Sequence, residues 1–452
     1  MRSIAYGSTL LMRRDVLAYR DDALANWTLP GGIEEVKTAL LTKLRIALDC
    51  ARSSNAYYAQ LFASVGFDTH KMTSFEDMGV LAVTTKGDIR EHQSDFEVCA
   101  SVCPHQVEMA TGGSTGQSLK FSMSRDDQLR SVGVQMAGWH LAGYVLGDRF
   151  AIFAGASIAK RDVVPWRVSR SDLVLNRRQF SAADLDDERI AQYWDYIQRW
   201  RPAYLRGYPT AIAELCRHRP AGRSRPYRPQ AVLTTSEMLI PSDRRIIEET
   251  LEAPVFDGWG LNDGGAAAYE CRQHAGMHVD TTRSYVEIVD EKGQPVWGTP
   301  GRVVVTSLTN KAFPFVRYDT GDMGVLEWRN CQCGRTGLML MQILGRSNDT
   351  LKLGDVRISP TSVTCFLLGP LEHLRRHHVV QDAPLHITVT LDVEEGFDKR
   401  AAEEAVTLGF TSRCPAVSIT FVYAPLPLPT DGSKWQSVVV LDSARRQACD
   451  PH

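Results

Sequence analysis

Ala110-Thr111-Gly112-Gly113-Ser114-Thr115-Gly116 has the composition of a phosphate cradle. Gly112, Gly113 and Gly116 free the backbone to reach positive φ, so successive N–H groups can converge on an anion. The hydroxyls of Thr111, Ser114 and Thr115 add donors, and Lys120 adds charge nearby. No apolar, strand-like run directly precedes the segment, no Gly-Lys-Ser/Thr ending follows it, and GxGxxG spacing is absent. It is therefore neither a Walker loop nor a dinucleotide fingerprint. Alone, such a cluster is more often an ordinary surface loop. Four later segments add chemistry. Trp259-Gly260-Leu261-Asn262-Asp263 offers an aromatic face, a turn and a carboxylate. Tyr318-Asp319-Thr320-Gly321-Asp322 offers two carboxylates in what reads as a tight turn. Gly345-Arg346-Ser347-Asn348-Asp349 sets a fixed cation beside polar turn residues, and Lys434 ends the proline-stiffened loop that starts at Pro425. Each has an ordinary counterpart when taken singly: a β-turn, a solvated cation, a core tryptophan.

The chain has ten cysteines, which in a protein this long form no disulfide framework. Cys50, Cys99, Cys103, Cys216, Cys365, Cys414 and Cys449 are isolated and read as reduced, inert thiols. Cys331-Gln332-Cys333-Gly334 is different: a knuckle-like pair lying 60 residues after Cys271, which has His274 and His278 close by. Three cysteines and one histidine make a tetrahedral zinc set. The plain alternative is three thiols and a surface histidine.

The elements that must position these groups follow from pattern. With 452 residues, 44% of them hydrophobic and 23% charged, the chain has material for two or three domains and a large core. A net charge of −2 opposes nucleic-acid binding as the main function. No apolar run is long enough to span a bilayer, and the N-terminus lacks a signal-peptide core, so a cytoplasmic location is expected. Residues 34–62 read as one amphipathic helix through Val36, Leu40, Leu44, Ala47 and Ala51. Apolar runs at 150–154 and 231–233 alternate with helix-length segments at 187–200 and 242–251, which predicts α/β layers. Residues 285–289 and 295–297 read as a hairpin, and 302–308 as a further strand of a small β-subdomain. After residue 347 comes a βαβ-like module. Leu385, Ile387, Val389, Leu391 and Val393 alternate, as do Val417, Ile419, Phe421 and Tyr423, with a helix at 397–408 between them.

Taken in order, these motifs resemble the adenylate-forming enzymes: acyl-CoA synthetases, peptide-synthetase adenylation domains and luciferases. The likeness is strongest to the phenylacetate–CoA ligase-like and capsular-biosynthesis branch, in which Arg206-Gly207-Tyr208-Pro209 and Ser236-Glu237 also find counterparts. The resemblance implies an α/β fold with a large core over 1–346 and a small mobile α+β domain over 347–452 carrying Lys434. It implies activation of a small or aromatic carboxylic acid with ATP and Mg²⁺, then transfer to CoA. An amide- or ester-forming ligase with an amine acceptor, or a non-catalytic binding protein on the same fold, are the alternatives. A small-molecule role without nucleic acid or membrane is implied, and a homodimer is compatible with it.

Residue by residue, the resemblance assigns Thr111, Gly112, Gly113, Ser114, Thr115 and Gly116 to the ATP phosphates. Trp259 would stack on adenine beside Gly260, with Asn262 and Glu237 also at the nucleotide; Asp322 would take the ribose hydroxyls, and Arg346 would assist at ribose or phosphate. Lys434 and Asp263 would be the catalytic pair, at the α-phosphate and at Mg²⁺. Tyr208 would line the acyl pocket, and Asn348 would be the hinge. Cys271, His278, Cys331 and Cys333 would hold a structural zinc, with Gly276-Met277-His278 favouring His278 over His274. The chain departs from the family pattern at Asn262-Asp263, where Thr-Glu is usual, and at Gly432-Ser433-Lys434, where Ser-Gly-Lys is usual.

Overall fold

A computed structural model of the chain describes residues 14–29, 31–98, 103–111, 119–154, 163–182, 185–219, 227–430 and 434–441. Among them no helix is long and apolar enough to cross a membrane. The chain divides into two compact units, each assembled from separate stretches: Met1–Arg149, Ser169–Arg177 and Phe256–Gln342 in one, Phe150–Val168, Arg178–Val255 and Ile343–His452 in the other.

In the first unit, the strands run in the order Pro295–Val296, Ser284–Val289, Gly301–Ser307, Tyr318–Asn330, Thr336–Arg346, Met277–Val279, Ala267–Glu270 and Val255–Gly260. Ser284–Val289 is buried along its whole length. The hairpin expected around 285–297 forms, with Ile288 opposite Val296. The single helix expected over 34–62 is instead two, Gly32–Ser54 and Ala56–Ser64. Asn55 breaks it: its backbone is extended, its side chain accepts the Tyr58 N–H, and its Nδ2 donates to the Phe96 carbonyl. An asparagine that satisfies the new helix's orphan donor caps better than it continues.

A strand does precede the glycine loop, contrary to the sequence expectation. Gln106–Ala110 pairs antiparallel with Lys120–Ser124, Ala110 facing Lys120. Gln106 and Glu108 interrupt its apolar residues, which suits a half-exposed ribbon and hides it from a search for a buried run.

In the second unit, Phe150–Ala154, Tyr204–Gly207 and Ala231–Thr235 are parallel neighbours. Helices Asp187–Trp200, Pro209–Arg217 and Pro241–Leu251 contribute to their core, giving the α/β layering read from the sequence. Gly207 is required: a Cβ there would lie 2.1 Å from the Phe153 carbonyl oxygen. Residues 351–440 share a separate core. There His386–Val393 runs parallel to Ser418–Tyr423 with helix Lys399–Thr411 between them, and Ile387, Val389 and Leu391 are fully buried. The alternating pattern predicted this βαβ arrangement.

Candidate functional site

Within the first unit, residues far apart in sequence meet around Tyr318. Its hydroxyl donates to Asp263 Oδ2 at 2.7 Å, and Lys86 Nζ lies 4.0 Å from the same oxygen. Thr84 bridges to Tyr318 in parallel register, and the Asp319 N–H donates to the Thr84 carbonyl. Thr85 then opens helix Lys86–Glu91 with a capping box closed by Asp88, so Lys86 is fixed at the first helical position.

The Trp259 indole N–H donates to Asp322 Oδ2 at 3.0 Å, joining positions 63 residues apart. Tyr318-Asp319-Thr320-Gly321-Asp322 is not the tight turn expected from its composition. It lies inside strand Tyr318–Asn330 as an irregularity, where the register shifts between Arg302 and Val304 of the partner strand. Gly321 takes φ +79, and Thr320 donates to the Val303 carbonyl. Such a bulge re-aims side chains, and here it separates two carboxylates. Asp319 is committed to Arg302 at 2.7 Å and to the Gly321 N–H, whereas Asp322 is the one beside Trp259. Gly260 and Asn262 are exposed, and Asp263 is half-buried.

Thr111 closes the mouth of the glycine loop. Its N–H donates to the Leu119 carbonyl and its hydroxyl accepts the Leu119 N–H, both at 2.9 Å. Gly112, Gly113, Ser114, Thr115 and Gly116 lie outside the described residues.

In the second unit, Tyr208 is buried and stands just before helix Pro209–Arg217. Thr210 of that helix donates to Glu237 Oε2 at 2.6 Å, and the Trp435 N–H donates to Glu237 Oε1 at 2.8 Å. Burial pushes the Glu237 carboxyl up to about 7, against the lowering effect of those two donors. Lys434 is therefore next in sequence to a group held by Glu237. Arg346 ends strand Thr336–Arg346, and Asn348 falls in the 3₁₀ turn Ser347–Asp349 that follows.

The four sulfur and nitrogen ligands anticipated for zinc come together in the first unit. Donor atoms of Cys271, His278, Cys331 and Cys333 all lie within 4.8 Å of one another. Cys271 Sγ is 3.8 Å from Cys331 Sγ, and Cys333 Sγ is 3.4 Å from His278 Nε2. A tetrahedron built on ordinary Zn–S and Zn–N bonds needs about 3.8 Å and about 3.6 Å for those edges, so the residues fit the ion. Burial pushes the Cys271 thiol up and the His278 imidazole down to about 4, leaving a neutral imidazole. Cys331 and Cys333 sit in the turn between the strands Tyr318–Asn330 and Thr336–Arg346, tightened at Gly334 with φ +86. His278 is carried by strand Met277–Val279, while His274 faces Glu270 at 3.1 Å and takes no part.

Sequence reasoning did not single out Lys86, Tyr318 as the partner of Asp263, Thr210 or Trp435. The Thr85-x-x-Asp88 capping signature could have located the start of the Lys86 helix; nothing local announces the others.

No family model matches the chain. Among curated proteins, it is 27% identical over 380 residues to a phenylacetate–coenzyme A ligase of Thermus thermophilus, covering 78% of this chain and 80% of that one. It is 23% identical over 308 residues to the protein CapK of Staphylococcus aureus, covering 67% and 66%. Among solved structures, a 2-hydroxyisobutyryl-CoA ligase bound to an acyl-adenylate superposes with a TM-score of 0.74 at 20% identity, over 94% of both chains. The fold is that of this CoA ligase, and the order of motifs resembles that of the adenylate-forming enzymes. Within that group, the relatives it matches in sequence are phenylacetate–CoA ligases and CapK, to which it is similar at 27% identity or less.

Proposed function

We propose that the protein is a ligase that activates a small or aromatic carboxylic acid with ATP and passes the acyl group to the thiol of CoA. A carboxylate oxygen attacks the α-phosphorus, the bond to the β-phosphate oxygen breaks, and pyrophosphate leaves. The CoA thiol then gives up its proton to solvent, its sulfur attacks the acyl carbon, and AMP departs with the electron pair of the mixed-anhydride bond. The Trp259–Asp322 hydrogen bond is the observation that carries this reading. It joins the residue assigned to the adenine face with the one assigned to the ribose hydroxyls.

In this reading the indole supplies a π-face for the base, and Asp322 accepts from the sugar. Lys434 neutralises charge that develops between carboxylate and α-phosphate, and the glycine loop holds the departing phosphates. Asp263 would hold Mg²⁺. Its Oδ2 is engaged by Tyr318 and lies near Lys86, while a carboxylate has a second oxygen for a hard cation. Bound there, Mg²⁺ would offset phosphate charge. Zinc at Cys271, His278, Cys331 and Cys333 would be structural, because the protein fills all four positions.

ATP–pyrophosphate exchange across a panel of carboxylic acids, with and without CoA, tests the proposal. Exchange with acid alone, lost in Lys434→Ala, and a thioester formed only with CoA are the expected results. Absence of exchange over the whole panel would refute it, and an adduct formed with an amine in place of CoA would refute the acceptor.

A further inference from the structure

We infer that Glu237 is a positioning residue for Lys434, acting through the backbone at Trp435. The inference rests on the adenylation role proposed above for Lys434. The N–H of Trp435 belongs to the peptide plane that begins at the Lys434 Cα. Its 2.8 Å bond to Glu237 Oε1 fixes the direction of that plane, and with it the point from which the lysine side chain starts. The acceptor is itself held on both sides. Glu237 Oε2 receives the Thr210 hydroxyl, and Thr210 stands in the first turn of helix Pro209–Arg217. Ser236 takes φ +73, a conformation that a non-glycine residue keeps only where its surroundings over-determine it.

The same two elements grip the C-terminal module at further points. Glu214, one turn along the helix from Thr210, pairs with Arg376 of strand Leu374–Ala383, whose Nη1 also donates to the Leu426 carbonyl. Met238 Sδ lies 3.6 Å from the Thr361 hydroxyl, which also donates to the Ile343 carbonyl. Within the module, the Trp435 ring lies 6.0 Å from that of His378. Of these contacts, the one from Glu237 falls on the residue next to the lysine in sequence. Through it, a residue expected at the nucleotide becomes a support for the catalytic side chain.

The protein tests this with three readouts: exchange rate at saturating ATP and acid, ATP affinity, and thioester formation from a supplied acyl-adenylate. Removing the acceptor that orients the Trp435 N–H should slow exchange at least about tenfold in Glu237→Ala, while ATP affinity stays within about twofold. Thioester formation from the supplied adenylate should be unchanged. Glu237→Gln keeps an oxygen for the Trp435 N–H and should stay within about threefold of wild type. Glu237→Asp keeps the charge but shortens the reach by one methylene; it should behave like the alanine variant, and it replaces that variant if alanine prevents folding. Unchanged exchange in Glu237→Ala or Glu237→Asp would overturn the inference, and so would a defect that appears as weakened ATP binding. The underlying reading is tested separately by wild type and Lys434→Ala. Exchange lost in Lys434→Ala but retained without Glu237 removes only the positioning role.

Discussion

Replacing Glu237 by glutamine should stabilise the protein above neutral pH and change little in acid. Burial raises this carboxyl from its ordinary 4.5 to about 7. At about 1.4 kcal/mol per pH unit, that difference corresponds to roughly 3 kcal/mol. The residue retains some solvent exposure, so screening brings the expected effect to about 1–2 kcal/mol. The sign follows from proton binding. The folded protein holds this proton more tightly than the unfolded chain does, so the cost of ionising Glu237 is absent below pH 4.5. It grows between pH 4.5 and 7 and is complete above 7. Glutamine has no such cost. It can accept the Trp435 N–H through Oε1 and donate to the Thr210 hydroxyl through Nε2.

The assay compares unfolding of wild type and Glu237→Gln over a pH series. Other carboxylates that titrate in the same range contribute equally to both proteins and cancel in the difference. The variant should gain about 1–2 kcal/mol at pH 8 and close to nothing at pH 4.5. A difference independent of pH would refute the reasoning. A variant less stable than wild type at pH 8 but not at pH 4.5 would mean that Glu237 is ionised and stabilised by its surroundings.

Elemental analysis should find about one zinc per chain, and Cys331→Ser should lower both zinc content and thermal stability, since structural zinc binding is folding free energy. A metal-free protein of unchanged stability would remove the zinc assignment. Trp259→Ala should weaken ATP binding about tenfold or more by calorimetry, the usual cost of losing a base-stacking ring, whereas Trp259→Phe should retain most of the affinity. ATP affinity unaffected by the alanine change would rule out the adenine role. Gly207→Ala should lower stability by about 2 kcal/mol or more in denaturant titration. Its new Cβ would meet the Phe153 carbonyl at 2.1 Å, a backbone atom of a paired strand that has no side-chain freedom with which to yield. A fully stable variant would contradict the register of those strands.

What was legible in the sequence and what was not divides by the distance over which each feature is decided. Helix Asp187–Trp200 is bounded by a local signal, the Asp186 side chain accepting the Arg189 N–H, and its extent was read correctly. Strand His386–Val393 announces itself through alternation because one face is buried and the other is not. The break at Asn55 carries a similar local mark, its side chain accepting the Tyr58 N–H, but it also depends on Phe96, 41 residues away. The bulge at 318–322 shares its Gly/Asp composition with a β-turn, and only distant partners, Arg302 for Asp319 and Trp259 for Asp322, determine what each carboxylate meets. The residues assigned chemistry were visible because short motifs carry them, whereas their supports were not. Asp263 is held by Tyr318 at a separation of 55 residues, and Trp435 by Glu237 at 198. A side chain's type is inscribed locally, but its aim is set by whatever the fold brings beside it. That is why Glu237, read from its motif as a nucleotide contact, is open to the positioning role proposed above only once Trp435 stands next to it.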